Sequence, residues 1–381
     1  MSSSPTQPEP VDPQRLKDLN LIDLFTEITD PRKRRGVRHQ LTAIITIAVS
    51  AVCTGARSFA AIGQWAKEMS PEIATKLKIS RIPETSTIRR VLSQLDANSF
   101  DALLGAWLWL RCKSQHGLNV LSFDGKSIRG ARARGAQAAH LLAGLTHNTG
   151  TVIAQTSVSD KTNEIPLLRN LLKHLAIAGF LIVADALHTQ RETAELILKR
   201  KAHYLLTVKD NQPGVRKICK DMPWRKVTAH RTTERLRGQT FTRSLKVVAA
   251  GNWLDFPGVQ QIGQLTRTVT NKDGKRTVEV VYLICSLPCH QASPKQIADW
   301  TRNHWSIENK LHWVRDMAFD EDRQQAHTGS GPQTMASLRN LVISLLRLAG
   351  HTNITAALRH YSWHTEHIPD LLLTIPDRTL P

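Results

Sequence analysis

The 381-residue chain lacks an apolar segment long enough to cross a membrane. Its most apolar run, Leu41–Ala56, is shorter than the roughly 20 residues that a bilayer helix needs and is interrupted by Thr, Ser and Gly. The N-terminal segment also lacks an apolar stretch behind positive charges, which argues against a secretory signal. We expect no membrane partner, a disordered lead over residues 1–15, and a buried helix in the apolar run.

Cysteine is scarce, and its pattern does not suggest a disulfide framework. The five cysteines are Cys53, Cys112, Cys219, Cys285 and Cys289. Their odd number and scattered spacing favour reduced thiols in the cytoplasm. Cys285, Cys289 and His290 lie close together, but no second ligand pair follows at the spacing of a zinc site. No internal repeat is present either.

Acidic residues are few compared with basic ones. Asp and Glu number 32 against 51 Lys and Arg, which gives a net charge of +19 and an isoelectric point near 10.1. Basic surfaces gain affinity for nucleic acid by releasing counterions from phosphates. The composition therefore favours a nucleic-acid partner, although a basic soluble protein without one remains an alternative.

Residues 16–115 have helical apolar spacing throughout and predict an all-α N-terminal domain. Within it, the segment "ISRIPETSTIRRVLSQL" predicts a turn that leads into a short basic helix with Arg89 and Arg90. This pattern is typical of a helix-turn-helix, which places a helix in the major groove of DNA. A helical bundle with solvated arginines is the alternative.

Residues 116–350 change to a pattern of strand, hairpin, helix, strand, helix and strand. This order predicts an α/β fold, with a mixed sheet flanked by helices. Three strand-like segments at about 222–288 predict a β-rich insertion. A long helix starting at Ser293-Pro294 follows, then a further amphipathic helix and a C-terminal tail over residues 351–381.

Three carboxylates are candidates for a metal site. Asp124 in "LSFDGKSIRGA" and Asp185 in "FLIVADALHT" each follow an apolar strand, and Glu308 lies in a helix rich in Trp and His. Carboxylates that meet beyond strand ends suit Mg²⁺, which prefers oxygen ligands. Taken singly, each aspartate could instead form a turn or a helix cap, and the glutamate could be solvated.

Three segments in this order carry a resemblance to a known family: "FDGKSIRGA", "VADALHTQ" and "RNHWSIENKLHWVRDMAFDEDR". They resemble the DDE transposases of bacterial insertion sequences, and within these the group that includes the H-repeat-associated proteins. The segment "DPRKRRGVRHQL" resembles the N-terminal associated region of that group. The likeness covers roughly Leu21–Gly350.

The resemblance implies an RNase H-like catalytic core with a β-rich insertion. It implies that Asp124, Asp185 and Glu308 bind two Mg²⁺ or Mn²⁺ ions for DNA cleavage and strand transfer. The implied partners are double-stranded DNA, as element terminal repeats and as target, and further copies of the chain in a homodimer or larger assembly. The implied location is the bacterial cytoplasm, at the nucleoid. A metal-dependent nuclease without strand transfer and a decayed DNA-binding copy are the alternatives.

Around the glutamate, the wider superfamily often has Tyr, Arg and Lys where this sequence has Thr301, His304 and Arg315. Thr301 is not assigned the role of the Tyr. Arg315, and His304 when protonated, are expected to meet a phosphate. Trp305 could stack on an unpaired base, but such a residue packs more often in a core. Asn309 could hydrogen-bond Glu308 or a phosphate.

Further supporting residues lie near the two aspartates. Lys126 and Arg129 are candidates for contacts with a DNA phosphate, or belong to a solvated basic loop. His188 is either near the scissile phosphate or simply a histidine at a helix start. Lys209 ends a strand on the side of the predicted site. Glu321 and Asp322 are expected to cap a helix or to pair with Arg323.

Overall fold

The structure is a computed structural model that describes residues 13–35, 37–112, 117–128, 139–158 and 164–374. The described residues form a mixed α/β fold. Its α-helices are α1 Pro13–Asp18, α2 Leu21–Leu24, α3 Leu41–Cys53, α4 Phe59–Glu68, α5 Pro71–Lys76, α6 Thr85–Leu92, α7 Ala97–Cys112, α8 Glu164–His174, α9 Arg191–Lys199, α10 Pro213–Asp221, α11 Pro294–His304, α12 Trp313–Phe319, α13 Gly331–Leu348, α14 Ile354–Trp363 and α15 Ile368–Leu373.

The strands within the same described residues number nine. They are β1 Asn119–Ile128, β2 Ala139–Thr146, β3 Val152–Val158, β4 Phe180–Ala184, β5 His203–Val208, β6 Ala229–Leu236, β7 Gln239–Ala249, β8 Gln261–Thr270 and β9 Arg276–Cys285. The chain divides into two compact units, one comprising Met1–His116, Gly125–Lys161 and Glu308–Pro381, the other Gly117–Asp124 and Thr162–Ile307. Strand β1 contributes residues to both.

The first unit is mainly helical and is built around α3 and α13. Helix α3 is apolar on all sides and almost wholly buried, as its sequence predicts. Helix α7 packs on the hairpin strand β3. A Cβ at Gly105 would lie 2.2 Å from the carbonyl oxygen of Ile153, so glycine permits this close approach. No helix of the described residues is long and apolar enough to cross a membrane.

The predicted hairpin is confirmed in this unit, because β2 and β3 pair antiparallel with a turn between them. Helices α14 and α15 lie in the segment that follows residue 350, and α14 contacts both α3 and α13. Helix α1 begins at Pro13, and residues 1–12 of the predicted lead lie outside the described residues.

The second unit contains the sheet that positions the two aspartates. Strands β1, β4 and β5 are parallel neighbours, and β9 continues the sheet antiparallel to β5. Strands β8, β7 and β6 follow by antiparallel pairing. A core of aliphatic side chains, including Leu181, Leu205, Leu283 and Ile297, is buried in this unit. The β-rich segment is therefore continuous with the sheet.

Two predictions about elements need correction. The insertion has four strands instead of three, because the polar segment "AHRTTERL" forms the edge strand β6. The helix that begins at Pro294, with its Ser293–Gln296 capping box, ends at His304 and does not run unbroken. A π-helical turn covers Glu308–His312 before α12 begins at Trp313.

Candidate functional site

Asp124 and Asp185 each follow directly on one of two paired residues of neighbouring strands in the second unit. Phe123 of β1 is in register with Ala184 of β4; Asp124 is the next residue of β1, and Asp185 follows the last residue of β4. Because these strands are parallel neighbours, the two carboxylates emerge at the same edge of that pairing. Strand β1 itself continues to Ile128, so Asp124 lies within the strand and is not the turn residue that its sequence also allowed.

Asp185 does act as a cap, and its side chain is still 54% exposed. Its Oδ1 accepts a hydrogen bond of 2.6 Å from the backbone N–H of Ala186, at the start of a short 3₁₀ helix over Ala186–His188. The Nζ of Lys209 lies 3.8 Å from the same oxygen. The Nδ2 of Asn211 donates to the carbonyl of Ala186 at 2.7 Å and braces this turn. Capping therefore fixes the backbone of Asp185 while leaving the carboxylate accessible.

Two histidines of this unit, His188 and His304, are buried. The Nδ1 of His304 lies 3.1 Å from the Oγ of Ser122, and burial lowers the pKa of His304 to about 4. The imidazole is therefore neutral at physiological pH, which does not support a phosphate contact by the protonated form. His188 lies in the 3₁₀ helix with its Nε2 3.6 Å from Glu164, and its side chain is likewise enclosed.

Trp305 is at the surface, which makes the prediction of a core position wrong. Its side chain is 51% exposed, and the guanidinium of Arg267 lies 3.4 Å from the ring centroid. A cation over an indole face is an attractive arrangement. The helix α11 stops at His304, so Trp305 lies beyond its last turn. Helical apolar spacing therefore does not apply to Trp305, and its side chain is not directed into the core.

Glu308 begins the π-helical turn in the first unit, with a side chain that is 67% exposed. The Nδ1 of His312 lies 3.5 Å from its carboxylate. A hydrogen bond with His312 and the nearby charges of His312 and Lys126 hold the pKa of Glu308 below its usual range. The carboxylate is therefore ionised at neutral pH. Turns of this wide type are frequent at functional sites. Asn309, the next residue, is exposed.

Lys126 is buried in β1 and contacts the segment after Glu308. Its Nζ donates to the carbonyl of His312 at 3.2 Å, forms an ion pair with Asp316 and lies 3.9 Å from Glu321. This position differs from the solvated basic loop that the sequence allowed. The structure makes Lys126 a support for the turn that carries Glu308. Arg129 lies outside the described residues.

Arg315 is fully buried, which leaves it no surface for a phosphate. Its Nε donates to Glu321 at 2.7 Å, and the Nη1 of Arg339 donates to the other oxygen of Glu321 at 2.8 Å. Burial alone would raise the pKa of Glu321, but the two guanidinium groups outweigh it and set the pKa at about 2. The predicted partner Arg323 instead lies 3.9 Å from Asp320. Arg339 belongs to none of the predicted site residues, and its only signal in the sequence is a charge in the middle of the apolar helix α13.

Residues 115–345 match a family described as "Transposase DDE domain", and residues 22–108 match one described as "DDE_Tnp_1-associated". The chain belongs to the DDE transposase family. DDE transposases depend on metal ions, and the family resemblance read from the three motifs is confirmed. Together with the mixed sheet and its flanking helices, the family confirms the predicted RNase H-like fold class.

Curated relatives of this transposase-family chain include proteins of Escherichia coli. "Putative transposase YncI" of strain O157:H7 is 28% identical over 345 residues, which cover 86% of this chain and 87% of the relative. "H repeat-associated putative transposase YhhI" of strain K12 is 26% identical over 86% of this chain and 90% of the relative. A solved piggyBac transposase synaptic complex with hairpin DNA is similar over 93% of this chain and 80% of that one, at 12% identity and a TM-score of 0.40, too weak a likeness to bear on the fold.

Proposed function

We propose that this protein is the transposase of a bacterial insertion sequence. It would bind the terminal repeats of its element, cleave DNA to release a 3′-hydroxyl, and join that end to target DNA. Membership of the DDE family supports the reaction class. The observation that supports the site most directly is the register of β1 with β4, in which Phe123 pairs with Ala184, the residues just before Asp124 and Asp185.

Asp124, Asp185 and Glu308 would hold two Mg²⁺ or Mn²⁺ ions. The fit rests on the donor chemistry, since carboxylate oxygens suit these hard cations, and on the exposure of the Asp185 and Glu308 side chains. When bound, such ions stabilise the attacking and leaving oxygens of an in-line phosphoryl transfer. The chain itself contributes the low pKa of Glu308, which keeps this ligand ionised.

We propose two roles for the remaining predicted residues, according to whether their side chains are exposed or buried. Lys209, Trp305 and Asn309 are exposed, and we assign them contacts with DNA near the site. The buried side chains would instead position the site; these are Lys126, His188, His304 and Arg315. Arg129 remains a sequence-based candidate for a phosphate contact.

A cleavage assay tests the triad. Wild-type protein with Mg²⁺ is expected to cut a duplex that carries the element ends, and Asp185→Asn is expected to lose this activity while still binding DNA. Asp255→Asn is the matched control, because Asp255 is exposed in the same unit and pairs only with Arg191 among the described residues. Equal cutting by wild type and Asp185→Asn would contradict the assignment.

The DNA products of this assay distinguish a transposase from a nuclease and from a decayed copy. Joined DNA products are expected from a transposase, whereas cutting without joining would identify a metal-dependent nuclease of the same fold. Binding without cutting by the wild type would instead identify a decayed copy. The location proposed for this activity is the bacterial cytoplasm, at the nucleoid.

A further inference from the structure

The N-terminal helical region contains a basic cleft of about 780 Å³. Its walls are the loop segments of residues 31–35 and 37–39 and the segment of residues 81–94, which includes α6. Six cationic side chains line it: Arg32, Lys33, Arg35, Arg38, Arg81 and Arg90. None of these residues belongs to the proposed catalytic site.

A polar contact connects the two walls of the cleft. Arg32 donates to Asp30 at 2.8 Å through Nε and to the carbonyl oxygen of His39 at 2.9 Å through Nη2. The ring Nδ1 of His39 lies 3.4 Å from the carbonyl oxygen of Arg81 on the other wall. Arg32 therefore organises the loop, and the cleft is formed before any ligand binds.

Most of the charges in the basic cleft have no acidic partner among the described residues. Among the described residues of the lining, Glu84 is the only one with a carboxylate, and its Oε2 lies 3.2 Å from Lys67. Within the described ranges, no ion pair involves the five other lining cations, which are Lys33, Arg35, Arg38, Arg81 and Arg90. Like charges on one concave surface raise the local potential, so the surface favours an anionic ligand.

We propose that this basic cleft binds the sugar-phosphate backbone of duplex DNA. The inference rests on the proposed function, to which it adds a DNA contact by residues other than the carboxylates. Several cations spread over two walls suit a row of phosphates better than one small anion. Arginine presents a planar fork that fits phosphate oxygens. Val37 and Ile82 are exposed in the same lining and offer apolar contact to sugars.

The test compares two pairs of substitutions that remove equal charge. Arg38→Gln with Arg90→Gln removes one cation from each wall. Arg34→Gln with Lys76→Gln removes an exposed arginine of the same loop and an exposed lysine of α5, and neither of these lines the cleft. Binding of a fluorescent duplex of arbitrary sequence is measured by anisotropy over a range of salt concentrations, without divalent metal.

We expect the cleft pair, Arg38→Gln with Arg90→Gln, to weaken DNA binding. The magnitude of the slope of log K against log salt should fall by about 2, since each lost phosphate contact removes roughly 1. The control pair should keep the wild-type slope. A third variant, Arg38→Lys with Arg90→Lys, keeps the charge and should keep most of the slope. Thermal unfolding of each variant shows that it is folded.

Equal loss of slope in the cleft pair and the control pair would overturn the inference, as would a full loss in the lysine variant. This outcome is distinct from failure of the proposed function, because binding is measured without metal. If the wild type cuts DNA with Mg²⁺ but the cleft pair binds like the control, only the cleft assignment fails. If the salt slope falls in the cleft pair but the wild type does not cut DNA, the assignment of the cleft is supported and the catalytic proposal fails.

Discussion

At the scale of single residues, two tryptophans of the chain have opposite environments. Trp107 is fully buried in α7, and its Nε1 donates to the carbonyl oxygen of Leu19 at 2.9 Å. Trp305 is half exposed beneath the guanidinium of Arg267. Burial decides how much each side chain contributes to the free energy of unfolding, because a buried indole removes a large apolar surface from water.

We therefore expect Trp107→Ala to lower the free energy of unfolding by about 3–5 kcal/mol, from lost burial and the cavity left behind. Trp305→Ala should lower it by less than about 1 kcal/mol, as for other surface contacts. Urea denaturation followed by circular dichroism measures both. A comparable loss in the two variants would mean that Trp305 packs in the core after all.

His304 predicts a pH dependence of stability. Its pKa is about 4 in the folded protein because of burial, and 6.5 is the ordinary value. The unfolded chain therefore takes up the proton first as pH falls. The contribution of the neutral His304 to the free energy of unfolding is fully present above pH 6.5. It decreases by on the order of 3 kcal/mol in total as the pH is lowered towards 4.

His304→Gln should remove this component, so the difference in stability between variant and wild type should shrink as the pH falls from 6.5 to 4. His290→Gln, at an exposed position, should show a constant difference. Unfolding by urea at a series of pH values gives the comparison. A difference that stays constant for His304→Gln would mean that the imidazole is not buried in its neutral form.

At the scale of elements, strand β1 and the π-helical turn are linked through Lys126. The strand carries Lys126 two residues after Asp124, and its Nζ contacts the turn at His312 and the carboxylate of Asp316. Glu308 lies at the start of this turn. The buried cation therefore fixes the local backbone that presents the proposed third ligand.

Lys126→Met should lower the free energy of unfolding by about 3 kcal/mol, because it leaves the half-buried carboxylate of Asp316 and the buried carboxylate of Glu321 without one of their cations. It should also reduce Mg²⁺-dependent cleavage while leaving DNA binding in place. Lys209→Met is the control for stability, since its side chain is 60% exposed and should cost less than about 1 kcal/mol. Unchanged stability of Lys126→Met would show that the turn does not depend on this residue.

At the scale of the whole molecule, the net charge of +19 opposes association of the chains in the absence of DNA. Transposition joins two ends, so the proposed function requires at least two chains on the same DNA. We expect DNA that carries the terminal repeats to bring the chains together, because phosphates neutralise their mutual repulsion.

Light scattering of the protein alone should give the mass of one chain, and addition of the end-bearing duplex should give at least two chains per complex. A duplex of equal length without the repeats is the control and should not yield this defined complex. Joined products from a complex that contains one chain would contradict the prediction. The outcome is independent of the position of the basic cleft.

Much of the fold is predictable because its local patterns are strong. "FLIVA" is apolar at every position and forms the buried strand β4, and Ser293-Pro294 begins α11 with a capping box. The edge strand β6 was missed because it is polar and pairs on one side only. The end of α11 at His304 was also missed, since apolar spacing continues on both sides of the π-helical turn.

The sequence by itself determined the order of the elements, the family and the three candidate carboxylates, because motifs and periodicity depend on residues close together in the chain. Only the tertiary structure decided which charged side chains are exposed. Lys126 meets Asp316 across 190 positions, and Arg339 meets Glu321 inside a buried helix layer. Such pairs depend on packing between distant segments, because a buried charge is stable only beside a partner that folding brings to it.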